Sequence, residues 1–216
     1  MPKGVLFDLD GTLLDSAPDF IASMDNLLTK HNQPKLDPET IRSNVSDGSW
    51  KLTSLGFNID ISDNKCVALR EELLEEYESN LLKHGGVFEG IKEMLASLED
   101  DKIPYGIVTN KPLRFAEPIL INELAFKNCK TLICPDHLDA IKPDPEGILK
   151  GCKDLGIHPT ECVYVGDHAK DIEAGINAGT EVIACYFGYS LKIGDCSEHI
   201  LGANHPNELY ELISKL

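Results

Sequence analysis

The sequence has no run approaching the ~18 consecutive apolar residues of a membrane-spanning helix. Its N-terminus meets Asp8 after only Val5, Leu6 and Phe7, too short an apolar stretch for a secretory signal. No basic stripe is present: 36 acidic residues face 20 lysines and arginines, a formal charge of −16. Binding a phosphate backbone needs clustered positive charge, so nucleic acid is excluded as a partner. The seven cysteines (Cys66, Cys129, Cys134, Cys152, Cys162, Cys185 and Cys196) form no C-x-x-C pair, and their number is odd. A disulfide framework is therefore not expected, and the thiols read as reduced, in a reducing, cytoplasmic compartment. Internal repeats, low-complexity tracts and clustered glycine or proline are lacking too, which excludes fibres, arrays and extensive disorder.

What is present suits a packed fold. With 216 residues, 42% of them apolar and 26% charged, the chain is one large domain or one domain carrying an insertion. A short apolar run at 4–7 ends in acids and Gly11, and similar runs recur at 103–109, 131–134, 162–166 and 182–187. The segments between most of them read as helices, and 206–216 as a closing helix. Strands alternating with helices predict an α/β fold with a Rossmann-like parallel sheet covered on both faces. Residues 16–83 break the alternation. Phe20, Met24, Leu27 and Leu28 fall on one helical stripe, as do Leu69, Leu73, Tyr77 and Leu81. Asp37-Pro38 reads as an N-cap followed by proline at the first helical position, and the acids of 71–78 as one solvated helix face. The expected organisation is an α/β core of 1–15 and 84–216, with a helical cap of 16–83 inserted after the first strand.

Four clusters stand at or just beyond predicted strand ends, where ligands bind in parallel α/β sheets. Asp8 and Asp10 in Asp8-Leu9-Asp10-Gly11-Thr12 would share one side of an extended strand. Two close carboxylates either hold a cation or have separated pKa values, suiting one as nucleophile or base and the other as acid. Thr109 and Asn110, at the end of the second run, offer a hydroxyl and an amide to an anion. Lys142, in Lys142-Pro143-Asp144-Pro145, is a point charge suited to a phosphoryl group. Val165-Gly166-Asp167 with Asp171 four residues on places two acids where one divalent cation, Mg²⁺ by oxygen preference, could be held. His168 has no second His or Cys at ligand spacing, so zinc is set aside.

Taken in order, these clusters resemble the haloacid dehalogenase superfamily along essentially the whole chain: D-x-D-G-T-L from Asp8, then T-N-K, K-P-x-P and G-D-x-x-x-D. The cap is similar to the small helical cap of the phosphoglycolate phosphatase group. A narrower likeness lies in 108–118, 132–137 and 142–146, which resemble the bacterial N-acetylmuramic acid 6-phosphate phosphatases. The resemblance implies a Mg²⁺-dependent phosphatase for a small phosphate monoester, 2-phosphoglycolate or N-acetylmuramic acid 6-phosphate. It implies Asp8 as the nucleophile that becomes an aspartyl-phosphate, and Asp10 as acid and then base. Thr109 and Asn110 would hold phosphoryl oxygens, and Lys142 would neutralise nucleophile and phosphate. Asp8, Asp167 and the backbone carbonyl of Asp10 would hold Mg²⁺, with Asp171 in support. Ser46, Asp47 and Gly48 in the cap are expected to face substrate, a turn between helices being the bland alternative. His168 departs from the acid or hydroxyl that relatives often carry, which bears on the outer metal contact.

Two other activities fit the same clusters. One is a phosphohexose mutase of the same family, in which the phosphoryl group returns to substrate. The other is a phosphoaccepting signalling domain, disfavoured because its acceptor should sit on a later strand and because it has no place for the cap. The expected partner is a small-molecule phosphate ester, with no nucleic acid and no membrane, and the expected state is a monomer or weak homodimer.

Overall fold

The computed structural model describes all 216 residues. The chain forms β1 (Gly4–Phe7) and β2 (Leu14–Asp15), then α1 (Ala17–Lys30), α2 (Pro38–Arg42), α3 (Ser49–Phe57) and α4 (Asn64–Asn80), and returns through β3 (Gly86–Val87). After α5 (Ile91–Asp100) come β4 (Tyr105–Val108), α6 (Leu113–Asn122), β5 (Leu132–Ile133), α7 (Glu146–Leu155), β6 (Cys162–Gly166), α8 (Ala169–Ala178), β7 (Glu181–Cys185), β8 (Leu201–Ala203) and α9 (Leu209–Ser214). Two compact units result: Met1–Leu14 with Val87–Leu216, and Asp15–Gly86. No helix is long and apolar enough to cross a membrane.

The first unit is a six-stranded sheet in the order β5-β4-β1-β6-β7-β8, every pairing parallel. Its inner strands are continuous apolar runs because both faces are covered: all residues of β1, β4 and β6 are buried. Leu6, Val108, Ile133, Ile148, Cys152 and Tyr164 meet in one core cluster. Gly106 and Gly151 sit where an added Cβ would come within 2.9 Å and 2.8 Å of Leu6, so their lack of a side chain lets strand and helix close on it. The strand β8 was not expected from sequence; three residues, Leu201-Gly202-Ala203, are too few for a periodicity to register.

The second unit is helical. Phe20 and Tyr77 stack with ring centroids 3.8 Å apart, joining α1 to α4 on the stripes read from sequence. Asp37 caps α2 by accepting from the Thr40 N–H at 3.2 Å, ahead of Pro38. The fully buried Asp19 accepts from the N–H groups of Leu82, His84 and Gly85 at 2.8–3.1 Å, so one carboxylate fixes the turn in which the unit ends.

Candidate active site

The strands β4, β1 and β6 are neighbours in a parallel ladder, so the chain leaves all three at the same end. From β1 the chain fills the sheet on one side and then on the other, which makes β1 the point where strand order reverses and a crevice opens. Asp8 and Asp10 follow β1, Thr109 to Lys111 follow β4, and Asp167 follows β6. Lys142 comes in from the connection between β5 and α7.

Lys142 is the hub. Its ammonium, with three N–H donors, lies within hydrogen-bond distance of Asp8 Oδ1 and Asp171 Oδ1, both at 2.7 Å, of the Tyr164 hydroxyl at 2.8 Å, and of the Val108 carbonyl at 3.0 Å. The Tyr164 hydroxyl in turn lies 3.0 Å from that carbonyl and 3.2 Å from Asp171 Oδ1, within donating reach of either. Asp8, Asp167 and Asp171 are all buried, and each offers a ligand oxygen within 4.8 Å of the others. Asp167 is oriented by the Tyr189 N–H, which donates to Oδ2 at 2.8 Å, and by the Thr12 hydroxyl at 3.4 Å from Oδ1. Glycines make that approach possible. An added Cβ at Gly11, where φ is +85°, would lie 2.3 Å from Asp167 Oδ2, and one at Gly188 would lie 2.3 Å from Asp167 Cβ.

Three carboxylates and one ammonium in a dry site leave negative charge in excess. Burial raises the Asp8 carboxyl to about 7, with Lys142 pulling it down and Asp171 pushing it further up. Burial, then Asp8 and Asp171, hold Asp167 well above the usual carboxylate range. Burial alone would lower Lys142, but Asp171 and Asp8 outweigh it and raise its pKa, so it carries its charge at neutral pH. A hard divalent cation fits this site: the donors are all oxygen, three carboxylates converge, and the charge surplus is of the right sign. The His168 ring is used elsewhere. Its Nδ1 accepts from the Lys170 N–H at 3.0 Å, and the His168 backbone N–H donates to Asp171 Oδ2 at 3.0 Å, a reciprocal cap on α8.

Two expectations meet a more specific geometry. Strand alternation placed the Asp8 and Asp10 carboxylates on one side; β1 itself ends at Phe7, Asp10 still acts on Asp8 through its charge, and each acid has its own ammonium. The Asp10 carboxylate meets Lys111, whose ammonium donates to Oδ1 and Oδ2 at 3.0 and 2.9 Å, and the oxygens that converge with Asp8 are those of Asp167 and Asp171. Asn110 was expected to face a phosphoryl group. Its carboxamide instead pairs with the backbone of Lys142, accepting from the N–H at 3.1 Å and donating to the carbonyl at 3.0 Å. A carboxamide offers both an acceptor and a donor, which here meet the N–H and the C=O of one residue, so Asn110 fixes the lysine loop. The buried Thr109 hydroxyl accepts from the Lys111 N–H at 3.1 Å. Ser46 and Asp47 lie in the turn before α3 with Gly48 as its N-cap at φ +90°. Sequence reasoning passed over Tyr164 and Lys111 as site residues. A tyrosine at the centre of the run Val163 to Gly166 was the available signal for the first.

A family model of haloacid dehalogenase-like hydrolases matches residues 5–185. The chain belongs to the haloacid dehalogenase-like hydrolases. The N-acetylmuramic acid 6-phosphate phosphatase of Pseudomonas aeruginosa is 39% identical over 217 residues, covering 99% of this chain and 95% of that protein. The phosphoglycolate phosphatase of Xanthomonas campestris pv. campestris is 39% identical over 195 residues, covering 90% and 86%. The crystal structure of a predicted phosphoglycolate phosphatase from Haemophilus somnus superimposes with a TM-score of 0.85 at 24% identity, covering 98% of this chain and 97% of that one, which shows a shared fold. This haloacid dehalogenase-like hydrolase is an enzyme, a phosphoric monoester hydrolase. The reading as a phosphoaccepting signalling domain is thereby set aside.

Proposed function

We propose that this hydrolase is a Mg²⁺-dependent phosphatase that cleaves a small, carboxylate-bearing phosphate ester, with N-acetylmuramic acid 6-phosphate ahead of 2-phosphoglycolate, through an aspartyl-phosphate on Asp8. The observation that carries the reaction is the Lys142 ammonium set between Asp8 and Asp171, at 2.7 Å from each, with Asp167 beside them. The order of substrates rests on the relative that aligns over 99% of this chain and on the narrower motif likeness.

Asp8 attacks phosphorus while the ester P–O bond breaks, and Asp10 gives its proton to the departing alkoxide. Water then attacks the phosphorus of the aspartyl-phosphate, Asp10 takes its proton, and inorganic phosphate leaves with Asp8 restored. Lys142 holds one Asp8 oxygen and so orients the other, while its charge offsets that of the dianion. Thr109 supplies a hydroxyl beside the attacked group, and Asn110 keeps Lys142 in place. Asp8, Asp167, Asp171 and the Asp10 carbonyl would hold Mg²⁺, whose bound charge neutralises phosphoryl oxygens in a protein of charge −16. The helices of the second unit serve as a cap, with Ser46, Asp47 and Gly48 on its substrate side.

The test is phosphate release with Mg²⁺, comparing kcat/KM on the two esters with Asp8→Asn as the blank. A preference of ~10²-fold, about 2.7 kcal/mol of differential transition-state binding, for N-acetylmuramic acid 6-phosphate is expected. Equal weak rates would overturn the substrate assignment, and activity in Asp8→Asn would overturn the nucleophile. Dependence on a sugar bisphosphate would signal the mutase outcome.

A further inference from the structure

The two acids of the Asp8-Leu9-Asp10 segment are held by different lysines arriving from different strand ends. Lys142 holds Asp8 and is expected in this family. Lys111 holds Asp10, and nothing in the reading above gives it a task. Its ammonium meets both Asp10 oxygens, at 3.0 and 2.9 Å, across 101 residues of sequence. The lysine side chain is 4% exposed and the aspartate side chain 17%. A surface pair of this kind would contribute little. Here a long side chain has been immobilised and desolvated, an entropic cost that geometry must offset.

The backbone shows why Asp10 needs such a partner. β1 stops at Phe7, and Asp10 sits in a tight turn in which the Gly11 N–H donates to the Leu14 carbonyl at 2.9 Å and Gly11 has φ +85°. A short side chain on a turn is free to rotate about χ1 unless something fixes it. Lys111 comes from a rigid base: its N–H is held by the Thr109 hydroxyl at 3.1 Å, directly after β4, which pairs with β1. Two hydrogen bonds from one ammonium to both oxygens fix the plane and direction of the carboxyl group.

We infer that Lys111 is a positioning residue for proton transfer: it holds the Asp10 carboxyl at the angle from which it serves the leaving oxygen and then the attacking water. This inference rests on Asp10 being the acid and base of the proposed reaction.

The test uses an ester whose leaving group needs a proton and one whose leaving group does not. First-turnover cleavage of N-acetylmuramic acid 6-phosphate and of p-nitrophenyl phosphate is followed with enzyme in excess and Mg²⁺ present. The proteins are wild type, Lys111→Met, Lys111→Arg, Asp10→Asn, and the double variant Asp10→Asn/Lys111→Met, with Lys111→Gln replacing the Met variant should that one not fold. Lys111→Met is expected to slow the sugar phosphate by ~10-fold or more at an unchanged enzyme concentration for half-maximal rate, and nitrophenolate release by less than ~3-fold, as one part of the ~10²–10⁴-fold typical of an acid–base group. Lys111→Arg should restore most of the rate. The double variant should be no slower than Asp10→Asn alone, because residues that act as a unit are not additive. Effects that multiply in the double variant, or equal slowing of both esters with a raised enzyme concentration for half-maximal rate, would overturn the inference by showing that Lys111 acts on the phosphate or on the fold. Wild-type rates in Asp10→Asn would overturn the role of Asp10 itself and this inference with it, an outcome distinguishable from multiplying effects alongside a slow Asp10→Asn.

Discussion

Removing the charge of Asp8 should make the metal-free protein more stable while ending its turnover. The Asp8 carboxyl is raised from 3.8 to about 7, chiefly by burial, with Lys142 opposing and Asp171 and Asp10 adding to the rise. A folded-state pKa above the unfolded one means that the folded chain binds this proton more tightly. The stabilisation is complete below about pH 4 and is lost as pH rises through about 7. The rise amounts to a few kcal/mol, on the order of the cost of an ionised Asp8 to the metal-free fold at pH 8. Asparagine keeps the shape and an acceptor oxygen for Lys142, which also retains Asp171 at 2.7 Å and the Tyr164 hydroxyl at 2.8 Å, so no buried charge is orphaned. Urea unfolding in chelator should therefore find Asp8→Asn more stable than wild type by a few kcal/mol at pH 8, with the gap shrinking toward zero as pH approaches 4. Added Mg²⁺ should stabilise the wild type far more than the variant. Equal stability at pH 8, or a less stable variant, would refute the claim that the acids of this site are held together against their own repulsion.

Tyr164→Phe removes the hydroxyl that Lys142 meets at 2.8 Å and should cost ~1–3 kcal/mol in urea unfolding and about tenfold in kcat; a variant matching wild type in both would contradict its role in holding the lysine. Gly188→Ala places a Cβ 2.3 Å from Asp167 Cβ and 2.5 Å from the Gly11 carbonyl, neither of which can swing away, so a loss of ~2 kcal/mol or more and a raised Mg²⁺ requirement are expected from unfolding and metal titration. Asp167→Asn should raise the Mg²⁺ concentration for half-maximal phosphate release at least ~10-fold, and an unchanged metal titration would remove Asp167 from the cation site.

The sheet was legible in the sequence because its inner strands are buried on both faces and leave unbroken apolar runs, such as Val163-Tyr164-Val165. The strand-end clusters were legible because a parallel sheet delivers its chemistry to one edge. What escaped was whatever depended on where a strand stops. The alternation rule was carried three residues past Phe7, and it gave no sign that Asp10 would be paired with Lys111. Asn110 escaped for another reason: a carboxamide that grips the backbone N–H and C=O of a residue 32 positions away has no local pattern, and only the tertiary fold supplies Lys142 as its target. Tyr164 was hidden in plain hydrophobic patterning, since a tyrosine in a buried strand reads as core until its hydroxyl is found 2.8 Å from an ammonium.

These misses share a physical cause. Each is a polar group that orients a charged one, and such groups are chosen by direction, which periodicity does not encode. The charged residues themselves sit where topology alone puts them, at the exits of β1, β4 and β6. Their partners decide what each acid can do. Lys142 sets Asp8 beside Asp171 among the three carboxylates that favour a cation, whereas Lys111 meets both oxygens of Asp10. Two carboxylates two residues apart in sequence are thereby given different surroundings, and that difference is what a nucleophile and a proton carrier in one reaction require.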